Sequence, residues 1–223
     1  MDDVRLNGRD VHNENPAEKL NYHGNLNATT NPLKGANFGY PSCVPAWDPN
    51  NLGQSGLKVG SLFKPDGVPN ASDCASRQPG TLHFHAHTAP LDVKFNANGT
   101  SAYIAFHGSW YVPHSLVLCG WEVRRVLPPL RLHASGLITN IEASSQRNRQ
   151  PADGYRVMRV DFSDGKPVAP SDSKTAAIPI MENSNAGACP GQCFRPVGLA
   201  FDDKGRLYVS SDSSGEVYVI YGA

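Results

Sequence analysis

The chain has 223 residues, with Lys+Arg 20 balanced by Asp+Glu 20, 39% hydrophobic residues, Gly 21 and Pro 18. That balance supplies no net field for nucleic acid or an anionic membrane, and no run of about 18 apolar residues is present to span a bilayer. Frequent turns and few long apolar periodic runs favour an all-β architecture of short strands over a helical one, as one large domain or two small ones.

The start, Met1-Asp2-Asp3-Val4-Arg5, lacks the charged-then-apolar pattern of a signal peptide. Three acceptor sequons, Asn27-Ala28-Thr29, Asn70-Ala71-Ser72 and Asn98-Gly99-Thr100, point instead to a secreted glycoprotein. Residues 1–60 are loop-dominated, rich in Asn, Gly, Pro and Asp. Within them His12-Asn13-Glu14-Asn15-Pro16-Ala17-Glu18 gathers oxygen ligands suited to a hard cation, although such runs are more often solvated turns. Cys43 and Cys74 can close a long disulfide loop, and Cys189-Pro190-Gly191-Gln192-Cys193 a short one. Zinc is the rival for the second pair, but no other Cys/His pair with ligand spacing lies nearby. Five cysteines leave at least one unpaired within the chain, and Cys119 is the odd one.

Thr81-Leu82-His83-Phe84-His85-Ala86-His87 alternates strictly, so as a strand it would set three histidines on one face. A polar strand face with one functional histidine is the preferred reading, because no carboxylate or cysteine completes a metal set. An internal repeat follows. Ala89-Pro90-Leu91-Asp92-Val93-Lys94-Phe95 with Asn98-Gly99 and Tyr103-Ile104-Ala105 matches Arg195-Pro196-Val197-Gly198-Leu199-Ala200-Phe201 with Lys204-Gly205 and Tyr208-Val209-Ser210. Each copy predicts a strand, an Asx/Gly turn and a second strand, and Val217–Ile220 adds one more. Repeated hairpins of this kind mark propeller blades, with material here for about three. The open strand edges of such an arc predict self-association. Residues 111–147, which include Cys119, lack both the alternation and the turn punctuation.

Several stretches together resemble one family. They are Asn15-Pro16-Ala17-Glu18-Lys19-Leu20-Asn21, Gly35-Ala36-Asn37-Phe38-Gly39-Tyr40-Pro41, Ala86-His87-Thr88-Ala89-Pro90-Leu91, His107-Gly108-Ser109-Trp110 and Cys193-Phe194-Arg195-Pro196-Val197-Gly198-Leu199. In this order they resemble the soluble quinoprotein sugar dehydrogenases of the fungal secreted pyranose/sorbosone type. The resemblance implies a six-bladed β-propeller that binds pyrroloquinoline quinone over its axis, uses Ca²⁺, and passes electrons from a sugar to an external acceptor. The family's blades before this stretch, with the secretion signal and the histidine base, are expected upstream of Met1.

The family motif runs His-Gly-Ser-Trp-Asn-Arg, then Pro, a gap and Gly-Tyr. Here Asn148-Arg149-Gln150-Pro151-Ala152-Asp153-Gly154-Tyr155 supplies its second half 37 residues late. Segment 111–147 is therefore expected to be foreign, readable as a translated intron. Cut after the second base of the Trp110 codon, it would begin GTA and, with AGG for Arg147, end in AG and keep the frame.

What the resemblance implies for the site follows residue by residue. Arg149 and Arg195 would pair with cofactor carboxylates, at about 4 kcal/mol per charge pair before desolvation. Trp110 would stack, Asn148 would hydrogen-bond, and His107 and His87 would line the pocket. Calcium would lie on carbonyls near His12, Asn13 and Glu14, with Glu18 close by. The rival class is a non-catalytic propeller fragment that binds carbohydrate or protein.

Overall fold

The computed structural model describes residues 4–69, 73–109, 153–186, 189 and 193–223. The sequon at Asn70, the segment 111–147 with Cys119, and Trp110, Asn148 and Arg149 lie outside the described residues. Among the described residues the fold is all-β, with two short 3₁₀ turns at Pro49–Leu52 and Cys74–Ser76, and no helix is long and apolar enough to cross a membrane.

The first part is built from short pairings. β1 (Arg5–Leu6) pairs with β2 (Arg9–Asp10), β3 (Glu18–Leu20) reaches forward to β6 (Leu82–Phe84), and β4 (Val44–Pro45) pairs with β5 (Leu62–Phe63). Strands of two or three residues cannot hold a layer by hydrogen bonds alone. A core of Val4, Leu6, Val11, Val44, Ala46, Leu52 and Phe63 sits under them, and the Cys43–Cys74 disulfide closes the long loop as expected.

The repeat forms the two hairpins its turns predict. β7 (Pro90–Phe95) pairs with β8 (Ser101–Phe106), and Gly99 takes φ +72° at the tip, where L side chains rarely fit. β8 continues to β9 (Arg156–Ser163), which carries the small β10 (Lys166–Pro167) and then β11 (Ala177–Glu182), giving an antiparallel meander. The second copy, β12 (Pro196–Phe201) and β13 (Leu207–Ser211), turns at Gly205 (φ +74°) and adds β14 (Val217–Ile220). Both first strands shift register near their start, after Pro90 and after Pro196.

β8 explains how the sheets stack. Its alternate residues Ala102, Ile104 and Phe106 face β6 in one core with Leu82, Phe84, Val160 and Phe162. Tyr103 and Ala105 face the other way, into a core with Leu199, Leu207 and Val209 of the second hairpin. β8 is thus packed on both faces. Asp92 of β7 ties the two copies together: its Oδ2 accepts the Leu199 N–H at 2.8 Å, while Lys94 holds Oδ1 at 2.7 Å. Burial raises the Asp92 pKa, but the Lys94 and backbone hydrogen bonds outweigh it and hold the carboxyl below its ordinary value.

One expectation is corrected. The strand after Thr81 covers only Leu82–Phe84. His85, Ala86 and His87 leave it in a turn closed by Thr88 Oγ1 donating to the His85 carbonyl at 2.8 Å, with His87 and Ala89 at positive φ. The three histidines therefore do not share a face, and among the described residues no group of three or more His, Cys, Asp or Glu could hold a metal.

Candidate functional site

The ends of the two hairpins meet. His107 follows β8, and its N–H donates to the Ala89 carbonyl at 3.0 Å. Its Nε2 lies 3.1 Å from Asp212 Oδ2, and Asp212 Oδ1 accepts Arg195 Nε at 2.9 Å. Asp212 follows β13 in the second copy at the place His107 occupies in the first, four residues after Tyr208 and Tyr103 respectively. One carboxylate thus orients both the imidazole and the guanidinium. Burial raises the Asp212 pKa, but the bonds from His107 and Arg195 outweigh it and hold the carboxyl below its usual range. His107 is buried and Arg195 largely so.

Beside His107 the separated halves of the motif come together at their flanks. Ser109 N–H donates to the Asp153 carbonyl at 2.8 Å, and Asp153 N–H returns a bond to Ser109 Oγ at 2.9 Å. Gly108 (φ +105°) and Gly154 (φ +102°) touch so closely that a Cβ on Gly154 would lie 2.4 Å from the Gly108 Cα. Tyr155 donates its hydroxyl to the Ser109 carbonyl. Burial pushes the Tyr155 phenol up to about 12 against the pull of Arg195, so it stays protonated.

His87, held at φ +61°, places Nε2 2.5 Å from the His12 carbonyl, with the two rings 4.4 Å apart. A ring N–H donating there leaves the carbonyl a second lone pair for a cation. The acidic candidates part company. Glu14 accepts Asn13 Nδ2 at 2.8 Å and lies 3.8 Å from His85 Nε2. Glu18 accepts the Ala89 N–H and faces a cavity of about 500 Å³ shared with Lys19, Asn21, Tyr40 and His87. Burial pushes the Glu18 carboxyl up to about 7, only partly offset by that hydrogen bond.

Sequence reasoning missed the pairing of His85 with Asp153, and it missed Asp212. His85 Nδ1 lies 3.0 Å from Asp153 Oδ2, and its ring meets Trp47 edge-on at 5.1 Å. The repeat itself could have revealed Asp212, as the partner position of His107. The other two meet only through long-range packing, which no local pattern signals. Of the predicted residues, His107 and Arg195 are brought together and His87 meets His12. Trp110, Asn148 and Arg149 lie outside the described residues.

Comparison with known proteins places this geometry in context. The TrAA12-like family model matches residues 1–223. A pyrroloquinoline quinone-dependent sugar dehydrogenase of Hypocrea jecorina is 37% identical over 226 residues, covering 99% of this chain and 42% of that protein. A pyrroloquinoline quinone-dependent pyranose dehydrogenase of Coprinopsis cinerea is 35% identical over 227 residues, covering 95% and 26%. Among solved structures, a calcium structure of the Trichoderma reesei family AA12 enzyme matches with TM-score 0.77 at 36% identity, covering 98% of this chain and 46% of that one. The holo pyranose dehydrogenase PQQ domain of C. cinerea gives 0.71 at 34%, covering 98% and 48%. The chain spans less than half the length of each of these relatives.

Proposed function

We propose, for a chain that belongs to the TrAA12-like family, that it carries part of a pyrroloquinoline quinone- and calcium-dependent oxidoreductase acting on a hydroxyl of a sugar. The stacked sheets are read as neighbouring blades of a partial β-propeller, about three in number. The carrying observation is the Arg195–Asp212–His107 chain at the equivalent ends of two repeated hairpins. Such positions face one another across a scaffold of radial sheets, where a flat ligand can be held at its rim.

The residues fit the cofactor by charge and by donor set. Arg195, oriented through Nε by Asp212, offers a fixed guanidinium to a carboxylate of the tricarboxylate quinone. His107, held by the same Asp212, is kept in one orientation beside it. His87 anchors the His12 carbonyl, and the backbone oxygens of His12 and Asn13 are the proposed calcium ligands. Glu14 and Glu18, which have other partners, stay outside that set. When bound, the quinone supplies a hydride-accepting carbonyl and the cation polarises it. Arg149, Trp110 and Asn148 are proposed to complete the cradle.

Binding and turnover test this separately. Titrating the chain with pyrroloquinoline quinone and Ca²⁺ should give saturable binding that weakens about tenfold or more in Arg195→Ala, the loss expected for a fixed charge pair. Dye reduction with a set of aldoses then reports turnover. Absence of cofactor binding by the wild-type chain would sink the reading.

Segment 111–147 is proposed to be foreign to the fold. The bonded pair Ser109–Asp153 supports this, since removal leaves only Trp110 and residues 148–152 to bridge two ends already held together. Transcript sequencing decides it: a mature message that retains codons 111–147 would defeat the intron reading. The Cys43–Cys74 and Cys189–Cys193 disulfides, with sequons exposed at Asn27 and Asn98, support export through an oxidising compartment.

A further inference from the structure

The two copies of the hairpin differ at the end away from His107 and Asp212. β7 is the last strand of its sheet, and its alternate residues Leu91, Val93 and Phe95 are 52%, 37% and 47% exposed. The matching Val197, Leu199 and Phe201 of β12 are half-buried or buried, with Leu199 in the core beside Tyr103 and Phe201 edge-on to the Tyr103 ring. The stripe on β7 runs to a turn that holds the sequon Asn98-Gly99-Thr100, where the second copy has Lys204-Gly205-Arg206. An apolar stripe on an edge strand invites pairing with another chain unless something covers it.

The turn presents Asn98 to solvent. Gly99 N–H donates to the Asn96 carbonyl at 3.0 Å and closes it. Thr100 gives Asn98 Oδ1 both its hydroxyl, at 2.7 Å, and its N–H, at 3.2 Å, while Asn96 Nδ2 donates to Thr100 Oγ1 at 3.2 Å. These bonds fall on the Asn98 oxygen, and among the described residues its Nδ2 has no partner. Asn98, Gly99 and Thr100 are all exposed. Each strand of this hairpin has six residues, so the tip lies about 20 Å from His107. A bulky group there leaves the Arg195–Asp212–His107 chain open.

We propose that Asn98 carries an N-linked glycan whose first sugars lie over Phe95 and shield the end of the β7 stripe. The modification joins Asn98 Nδ2 to the anomeric carbon of an oligosaccharide borne on a polyprenyl pyrophosphate. The bond from that carbon to the phosphate oxygen breaks, the pyrophosphate departs, and the amide gives up one proton. The Oδ1 bonds to Thr100 persist, so the turn needs no rearrangement. Phe95, three residues before Asn98, meets Phe162 edge-on at 4.9 Å and keeps half its surface free. A sugar turns C–H groups to such a ring and hydroxyls to water, which covers apolar area without creating a new adhesive face. The site rests on the export reading above, because the donor is met in the secretory pathway. The second copy, with Lys204 in place of Asn98, cannot take the group.

The test directs the full chain, behind a cleavable leader peptide, through the secretory pathway of a yeast and maps the secreted protein by mass spectrometry. A glycan on the Asn98 peptide is expected, lost in Thr100→Ala and in Asn98→Asp, which keeps an oxygen for Thr100 but no amide nitrogen. Bare Asn98 with both disulfides oxidised overturns the site, whatever the state of Asn27. A glycan on Asn98 with the Cys43–Cys74 and Cys189–Cys193 pairs reduced would remove the disulfide ground for export and leave the site standing. Sedimentation velocity then reads the shielding. Asn98→Asp should self-associate about tenfold more tightly than the glycosylated chain, and Phe95→Ser in that background should restore the weaker value. Equal association of the bare and glycosylated chains overturns the shielding. Quinone binding by Asn98→Asp should stay within about twofold, and a larger change would overturn the placement of the glycan away from the site.

Discussion

The two copies of the hairpin share a turn and a pair of strands, yet the molecule uses them differently. In the first, β7–β8, the second strand lies inside: β8 is buried on both faces and continues into β9 and β11, while Leu91, Val93 and Phe95 of β7 stay exposed. The second, β12–β13, ends in β14, where Val217 is 64% exposed and the following Tyr221 74%. At their tips toward the site the copies differ again, one ending in His107 and the other in Asp212. A single scaffold element therefore sets stability through its neighbours and, in the function proposed above, chemistry through the residue just past its strand. Substitutions that separate these roles sharpen the contrast.

Phe106→Ala, in the doubly packed copy, should cost the most, about 3–5 kcal/mol by chemical denaturation, because it empties a buried ring from the core shared with β6. A cost below about 1 kcal/mol would mean that the two-sided packing is loose. Removing the Cys43–Cys74 disulfide by paired Ser substitutions should cost about 3–4 kcal/mol, and removing Cys189–Cys193, with its much shorter loop, about 2. Equal losses would contradict the loop-length account.

Asp92→Ala breaks the tie between the copies and leaves the Leu199 N–H without its acceptor, at about 1–3 kcal/mol. It carries a pH signature. Because the folded pKa of Asp92 is depressed, its contribution is fully present above the unfolded value near 4 and is lost as pH falls through the folded value. Stability of the wild type should therefore drop at acid pH more steeply than that of Asp92→Asn, and parallel curves would remove Asp92 from the account. Val217→Ala, on the outer strand, should change stability by no more than about 0.5 kcal/mol. A shift in the sedimentation coefficient of that variant would show instead that β14 is covered in solution by a second copy.

The sequence made the hairpins legible because their turns carry Asn-Gly and Lys-Gly at fixed offsets from alternating apolar residues, and it made the disulfides legible through spacing. The histidine run from His83 to His87 read as a strand because alternation is a pattern in the chain, while the event that ends the strand is a Thr88 hydroxyl folding back on His85. His107 and Arg195 were visible by resemblance. The carboxylate that joins them was not, since Asp212 lies 105 residues from His107 and only the fold makes them neighbours. The Glu14–His85–Asp153 grouping was hidden for the same reason.

The clasp between Ser109 and Asp153 bears on how this gene can change. Closing a flexible excursion costs free energy that grows only with the logarithm of its length. On that scaling a flexible loop of 43 residues, the number from 110 to 152, costs about 2 kcal/mol more to close than one of six. A domain can absorb that from its ordinary margin. On the retained-intron reading proposed above, such a splicing error is one that folding alone is poorly placed to purge, and selection would have to detect it through lost chemistry.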